Sequence, residues 1–163
     1  MQQKQQLLDE FSTLISFVES LRELDNQLWG TPIAEGKWTP RDIVAHIMRW
    51  DQYFLEAGIR KMASGEPVTV KQLDFNEFNQ KAVEYAEQTS KQAIIDQTIY
   101  YRNELLRLLE SLSDEAFREE HIDGDGNPFS AQSYVMDFIP HDFHHMDQLK
   151  AFFSKAQLEN LEP

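Results

Sequence analysis

Apolar residues along most of this chain recur at steps of three and four, the spacing that puts them on one face of an α-helix. The first such run predicts a helix from about Gln3 to Leu28. The apolar face of this helix consists of Leu7, Phe11, Leu14, Val18 and Leu21. Glycine and proline residues between Trp29 and Lys37 indicate turns, so we expect the helix to end before them.

A second helix is predicted from Pro40 to about Ala63. Thr39 can cap its N-terminus, and the ring of Pro40 already has the backbone angle that a first helical position needs. The apolar face of this helix consists of Ile43, Ile47, Trp50 and Phe54. His46 lies on the same face, so we expect its imidazole to point into the protein.

Two further helical regions follow a long connection. The third is predicted from about Asp74 to Ser111, with a break near the polar residues around Thr89. The fourth starts after Ser130 and runs to about Lys155. Four amphipathic segments without a strand-rich region predict an all-α fold. We expect a four-helix bundle with a long connection between helices 2 and 3.

The length and charge of the chain narrow its organisation and its partners. A length of 163 residues is close to the common size of one domain. We expect residues 1–155 to form a single domain and residues 156–163 to be a C-terminal tail. The formal net charge is −13. Because this charge repels phosphate backbones and acidic membrane surfaces, we expect no nucleic-acid partner and no membrane partner.

The N-terminal segment and the cysteine content narrow the location and the chemistry. The first residues lack the apolar core of a signal peptide, and no apolar stretch reaches transmembrane length, so we expect a cytoplasmic protein. The chain contains no cysteine, which excludes disulfides, cysteine zinc sites and a thiol nucleophile of its own. A transition-metal site in this chain would therefore use histidine and carboxylate ligands.

Three of the five histidines lie between Phe138 and Leu149. His141 and His145 are four residues apart, so they lie one turn apart on the apolar face of the fourth helix. Two core histidines bonded to a hydroxyl or a carbonyl group would give the same pattern. Together with His46 on the second helix, however, they supply the parts of a three-histidine site. Such a site suits Zn(II) or Ni(II) and leaves a position for water or a small-molecule substrate.

Four residues near these histidines are candidates for contacts behind the ligands or for the wall of a cavity: Trp50, Asp51, Asp137 and His144. Asp137 lies one turn before His141 and could accept the second N–H of that imidazole. His144 lies on the flank of the apolar face and would replace His145 as a ligand if the helix were rotated. The other two candidates follow His46 along its helix, and Asp51 would lie at the cavity mouth.

Two stretches of the sequence resemble a known family. The segment Lys37-Trp-Thr-Pro-Arg-Asp-Ile-Val-Ala-His46-Ile-Met-Arg-Trp-Asp51 resembles the family's Trp-[Ser/Thr]-x-x-[Glu/Asp]-x-x-x-His stretch, and His141-x-x-x-His145 resembles its last-helix pair. The family is that of the DinB-like/YfiT-like metal-dependent four-helix bundles, which are related to bacterial thiol transferases and mycothiol-dependent maleylpyruvate isomerases. The resemblance implies a divalent metal ion held by the three histidines, and commonly a homodimer. It does not determine the reaction.

Two classes of function are compatible with these features. In the first, the metal ion activates a low-molecular-weight thiol for transfer to a small electrophile, with metal-dependent hydrolysis as the competing reaction. In the second, the protein is a non-enzymatic, stress-associated dimeric binding protein. Apolar residues beyond one narrow stripe also indicate a homodimer through helix faces. These residues are Ile15, Leu24, Ile99 and Leu106.

Overall fold

The computed structural model describes residues 2–161 as a bundle of helices. In chain order the helices are α1 (Gln2–Ser20), α2 (Asn26–Trp29), α3 (Pro40–Phe54), α4 (Arg60–Ala63), α5 (Phe75–Glu87), α6 (Lys91–Ser111), α7 (Asp114–Arg118) and α8 (Ala131–Leu161). Two short antiparallel strands, β1 (His121–Ile122) and β2 (Pro128–Phe129), precede α8. The bundle consists of α1, α3, α6 and α8, which confirms the predicted all-α four-helix fold. None of the helices between residues 2 and 161 is long and apolar enough to cross a membrane.

The first helix ends earlier than predicted. Helix α1 stops at Ser20 and is followed by a 3₁₀ turn, so the prediction of one helix reaching Leu28 is wrong. The side chain of Asp25 accepts a hydrogen bond from the backbone N–H of Gln27 and thereby caps the separate short helix α2. Because aspartate competes for backbone N–H groups in this way, it favours a helix start at this position over a helix interior.

The second helix runs over the predicted range but contains a local widening. Thr39 and Asp42 each accept the backbone N–H of the other, so α3 begins with a complete capping box. A π-helical turn, Leu55–Ile59, connects α3 to α4. Gly58 lies in this turn, and a Cβ atom there would be 3.1 Å from the ring of Phe129. The glycine therefore permits close packing of the turn against the segment before α8.

The long connection and the break in the third region agree with the prediction. Residues 64 and 65 form a turn, residues 66–74 have no regular secondary structure, and Val68 and Val70 in this segment are buried. Helix α5 packs against α3, and it is separated from α6 by the residues around Thr89. The side chain of Ser90 accepts the N–H of Ala93 and so starts α6 as a new helix.

The last helix is longer than predicted. Helix α8 continues through Pro140 and ends at Leu161 rather than near Lys155. Residues 156–161 of the predicted tail are therefore its last turns, and residues 162 and 163 lie outside the described part of the chain.

Of the four apolar residues that suggested a dimer surface, one is buried and three are partly exposed. Leu106 is buried, and Ile15 lies against the same core cluster. Leu24 and Ile99 pack against a second cluster. Packing within the chain therefore covers part of each side chain, and the homodimer through helix faces stays a prediction.

A completely buried arginine connects all four helices of the bundle. The guanidinium of Arg102, in α6, donates to both oxygens of Asp51 in α3 at 2.7 and 2.9 Å. It also donates to both oxygens of Asp142 in α8 at 2.7 and 3.3 Å, and to the carbonyl oxygen of Phe11 in α1 at 2.8 Å. All five N–H groups of the guanidinium are thus used. The same guanidinium lies 3.8 Å from the centre of the Phe11 ring.

The electrostatics of this cluster follow from burial and mutual attraction. Burial raises the pKa of Asp51 to about 6, and the positive charge of Arg102 opposes that rise. Burial alone would lower the pKa of Arg102, but Asp51 and Asp142 outweigh it and raise that pKa above its usual value. One guanidinium and two carboxylates leave one net negative charge in the core. The cluster is therefore stable only while the arginine is present to compensate both acids.

We expect Arg102→Met to destabilise the protein by about 3–5 kcal/mol, because it leaves two buried carboxylates without a partner. Arg107→Met is the matched control, since Arg107 lies on the same helix but is exposed and bonded to Glu104. The control should cost at most about 1 kcal/mol. Urea unfolding followed by circular dichroism measures both changes, and equal effects of the two substitutions would contradict this role for Arg102.

Candidate metal centre

The structure brings the three predicted histidines together. His46 comes from α3, and His141 and His145 come from successive turns of α8. One ring nitrogen of each residue lies within 4.8 Å of the corresponding atoms of the other two. The centre of the His46 ring is 5.1 Å from that of His141 and 5.1 Å from that of His145. Among residues 2–161, no carboxylate or further histidine joins this histidine cluster.

Hydrogen bonds hold two of the imidazoles from behind. Nδ1 of His46 lies 2.8 Å from Oδ1 of Asn79, which comes from α5. Nδ1 of His145 lies 3.0 Å from Oε1 of Gln148, one turn further along α8. Because Nδ1 is engaged in both rings, Nε2 is the nitrogen that each can direct into the histidine cluster. Nε2 of His46 is 3.1 Å from Nε2 of His141.

His141 differs from the other two histidines. Its Nδ1 atom is buried and has no hydrogen-bond partner within the described part of the chain. The ring packs against Phe138, with 5.3 Å between ring centres. A buried ring nitrogen without a partner is costly, and this cost falls on the imidazole at the centre of the cluster.

The histidine cluster favours uncharged imidazoles. Burial, reinforced by the proximity of His141 and His145, lowers the pKa of His46 from 6.5 to about 3. Burial and the proximity of His145 lower the pKa of His141 to about 4. Burial also lowers the pKa of His145, and the hydrogen bond to Gln148 opposes that change. All three rings are therefore neutral at neutral pH, which is the form that binds a metal ion.

The four supporting candidates fall in different places. Trp50 contacts the edge of the His46 ring and donates its indole N–H to Asn79. His144 is exposed, and the centre of its ring lies 5.3 Å from that of the His145 ring. Asp137 is exposed, so its carboxylate does not meet the buried Nδ1 of His141. The prediction that Asp51 lies at the cavity mouth is wrong, because Asp51 is fully buried against Arg102.

Sequence reasoning missed two site residues, Gln148 on α8 and Asn79. Asn79 lies in α5, within a segment whose pattern was read only for its apolar face. One polar residue on a helix has many possible partners, and its position in the sequence does not show that it faces a histidine 33 residues earlier. A search for hydrogen-bonding residues on every helix beside His46 would have included it, without distinguishing it from its polar neighbours.

A small cavity opens beside one edge of the histidine cluster. Its volume is about 210 Å³, and His145 is the member of the cluster that lines it. The wall is largely apolar, with Ile33, Trp38 and Ile43. Lys37 and Gln148 add polar atoms to this wall. A small molecule in the cavity would therefore contact His145 and meet one positive charge.

The residues present fit a divalent transition-metal ion. Three neutral imidazoles are a common ligand set for such ions, and a set of three leaves a position for a further ligand. Hydrogen bonds behind His46 and His145 orient the two rings, as is usual for metal-binding histidines. The structure therefore meets the geometric and chemical requirements of a three-histidine site.

Comparison with known proteins supports the same fold. A family model described as DinB superfamily matches residues 13–149. No curated protein sequence matches the chain. YfiT from Bacillus subtilis, a probable metal-dependent hydrolase with an unusual four-helix bundle topology, is 14% identical in sequence, with 96% of this chain and 89% of that chain covered and a TM-score of 0.75.

Two further solved structures are similar at the level of the fold. The mycothiol-dependent maleylpyruvate isomerase is 17% identical, with 90% of this chain and 60% of that chain covered and a TM-score of 0.69. The colibactin self-resistance protein ClbS, solved in complex with a dsDNA, is 15% identical, with 91% and 94% covered and a TM-score of 0.71. A protein of this fold can therefore bind DNA. The expectation of no nucleic-acid partner thus depends only on the charge of this chain.

The metal-free protein should lose stability on acidification, and His46 should account for part of the loss. Below pH 6.5 the unfolded chain protonates this residue, whereas the folded protein keeps it neutral until about pH 3. The stabilisation is thus complete above pH 6.5 and decreases as the pH falls. Between pH 6.5 and about pH 4.5, we expect the loss to be about 2–3 kcal/mol smaller in His46→Gln than in the original protein.

Urea unfolding at several pH values in the presence of a chelator measures this difference. His144→Gln is the control, because that residue is exposed and lies outside the histidine cluster, so it should change the pH dependence less than His46→Gln does. A pH dependence that is the same in His46→Gln and in the original protein would show that His46 titrates normally in the fold.

Proposed function

The chain belongs to the DinB superfamily, and from this premise we propose that His46, His141 and His145 hold one divalent metal ion, Zn(II) or Ni(II). The observation that carries the proposal is the convergence of three neutral imidazoles, one ring nitrogen of each lying within 4.8 Å of the others. Neutral ligands leave the charge of a bound ion uncompensated. The site therefore favours an anionic ligand in its remaining position.

The reaction we propose is transfer of a low-molecular-weight thiol to a small electrophile. A bound divalent ion would act as a Lewis acid that lowers the pKa of a thiol and stabilises its thiolate. The chain has no cysteine, so the thiol would belong to a separate small molecule. The cavity beside His145 borders the site, and the positive charge of Lys37 in its wall favours an anionic molecule.

The buried carboxylates support a thiol more than water as the nucleophile. A water molecule that attacks a substrate commonly gives its proton to a nearby carboxylate. Asp51 and Asp142 are both held by Arg102, and no carboxylate within residues 2–161 joins the histidine cluster. A thiol needs less help to lose its proton, because its pKa is much lower than that of water.

Metal-dependent hydrolysis is the second candidate. It is favoured by the similarity to YfiT, a probable metal-dependent hydrolase, over 96% of this chain. Three histidines are also sufficient to hold an ion that lowers the pKa of water. The two candidates differ in the nucleophile that the site accepts, which can be measured without knowing the substrate.

We expect His46→Ala and His145→Ala each to abolish stoichiometric metal binding, because each removes one of three ligands. His144→Ala is the matched control on the same turn of α8, and its side chain is exposed. Elemental analysis after dialysis, together with calorimetric titration of Zn(II), measures the effect. Loss of the metal in His144→Ala but not in His145→Ala would contradict the proposed ligand set.

Thiol binding distinguishes the two candidate reactions. We expect Ni(II)-loaded protein to develop a thiolate-to-metal absorption band when it is titrated with one of glutathione, bacillithiol, mycothiol or coenzyme A. His46→Ala protein treated in the same way should show no band, since it lacks the ion. If none of the thiols changes the spectrum of protein with a full complement of metal, hydrolysis replaces thiol transfer as the preferred reaction.

A further inference from the structure

Asn79 lies at Nδ1 of His46 and also accepts the indole N–H of Trp50. We propose that Trp50 and Asn79 fix His46 in the tautomer that carries its proton on Nδ1, so that Nε2 directs an unprotonated lone pair into the cluster before any metal binds. The contacts that carry this inference belong to the metal-free protein. Its consequence for metal affinity rests on the proposed function, whereas the tautomer itself can be measured independently.

The indole group of Trp50 determines which way the side-chain amide of Asn79 faces. The Nε1–H of Trp50 can donate a hydrogen bond but cannot accept one. It lies 3.2 Å from the side-chain amide of Asn79, so the atom that faces it must be the amide oxygen. If the amide were turned over, two donors would face each other. Trp50 therefore fixes the orientation of the Asn79 amide.

The orientation of Asn79 in turn fixes His46. The same amide oxygen lies 2.8 Å from Nδ1 of His46. An amide oxygen only accepts, so Nδ1 must carry a proton and donate it. A neutral imidazole has one N–H group, and Nε2 of His46 is therefore unprotonated. This is the nitrogen that faces the histidine cluster.

The contact on the other side of His46 could not make this choice alone. Nε2 of His46 is 3.1 Å from Nε2 of His141, and a hydrogen bond between two imidazoles can run in either direction. With His46 fixed by Asn79, the direction is determined, and His141 is the donor. In the metal-free protein, His46 thus carries its proton on Nδ1 and His141 carries its proton on Nε2.

This assignment makes the two histidines unequal as ligands. His46 already has the lone pair in place. His141 must lose the proton on Nε2 and gain one on Nδ1 before Nε2 can act as a ligand, with no net change in protons. Its Nδ1 is buried and unpartnered among residues 2–161, so this new N–H would have no acceptor there. His46 is therefore the preorganised ligand, and His141 is the ligand that must rearrange.

Packing holds the indole of Trp50 where its N–H can donate to Asn79. Trp50 is only 8% exposed. The centre of its six-membered and five-membered ring system lies 4.1 Å from the centre of the Phe78 ring and 5.6 Å from that of Phe75. Both phenylalanines are in α5, the helix that carries Asn79. The donor and the amide are thus held by the same contact between α3 and α5. Trp50 and Asn79 are positioning residues, because they act on the site through His46.

Long-range ¹⁵N–¹H NMR of metal-free protein labelled at histidine reports the tautomer of each ring. The spectra are recorded at a mildly alkaline pH, where all the rings are neutral. In the original protein we expect His46 to be protonated on Nδ1 and His141 on Nε2. In Trp50→Phe the amide of Asn79 is free to turn over, so the tautomer of His46 with its proton on Nε2 should become populated beside the first. It should stay the minor one, because it places the proton of His141 on the unpartnered Nδ1. The affinity for Zn(II) should then fall by at most about a factor of two, in proportion to the molecules that remain ready to bind.

A second substitution tests the amide step directly. In Asn79→Asp, both side-chain oxygens are acceptors, so turning the group over changes nothing. Trp50→Phe should therefore alter the tautomer of His46 when residue 79 is asparagine and leave it unaltered when residue 79 is aspartate. This comparison is a double-mutant cycle that separates the orientation effect from the added charge.

Asn79→Leu should lower Zn(II) affinity by about 10–100-fold. Asn76→Leu, an exposed site on the same helix, should not lower it.

Each outcome decides the proposal. It is overturned if His46 in the original protein is protonated on Nε2, a measurement that needs no variant. It is also overturned if His46 keeps a single tautomer in Trp50→Phe, or if adding Asn79→Asp to Trp50→Phe fails to restore that tautomer. If the original protein shows the expected tautomers but binds no Zn(II), the proposed function fails and the inference about His46 stands.

Discussion

The buried guanidinium of Arg102 is the interaction on which the arrangement of the bundle depends. It bonds to groups from α1, α3 and α8 while being part of α6. A buried charge is tolerated only with nearly complete hydrogen bonding, so the four helices are constrained to the separation that this cluster allows. The three histidines of the cluster lie on two of these helices, α3 and α8. His46 is five residues before Asp51 on α3, and His141 is adjacent to Asp142 on α8. The Arg102 cluster therefore sets the distance between α3 and α8, and with it the distance between His46 and the other two histidines.

The Arg102 cluster also keeps charged groups of the core apart from the neutral histidines. Asp51 and Asp142 are both bonded to Arg102 in the core, and among the described residues the histidine cluster contains only neutral rings. Burial keeps those rings uncharged, and polar amides rather than carboxylates orient two of them. A cation placed among them would keep most of its charge. With such an ion bound, the proposed site would favour an anionic nucleophile as its further ligand.

Much of this architecture could be predicted from the sequence, for identifiable reasons. The helices and the inward direction of His46, His141 and His145 follow from apolar spacing, which is a local property. The pairing of Asp51 with Arg102 could not be predicted, because it joins residues 51 positions apart and a buried acid has the same local pattern as an exposed one. Asn79 was missed for the same reason. The early end of α1 depends on the capping group of Asp25, which competes with an otherwise continuous apolar stripe.

The central claim is that three Nε2 atoms hold one metal ion in this bundle. Anomalous diffraction from crystals of Zn(II)-loaded protein, recorded at the zinc absorption edge, tests it most directly. The account predicts a single peak between α3 and α8, about 2.0–2.1 Å from Nε2 of His46, His141 and His145, with the remaining ligand not supplied by the protein. A peak at surface carboxylates, ligation through His144, or a fourth protein ligand that closes the site would contradict it.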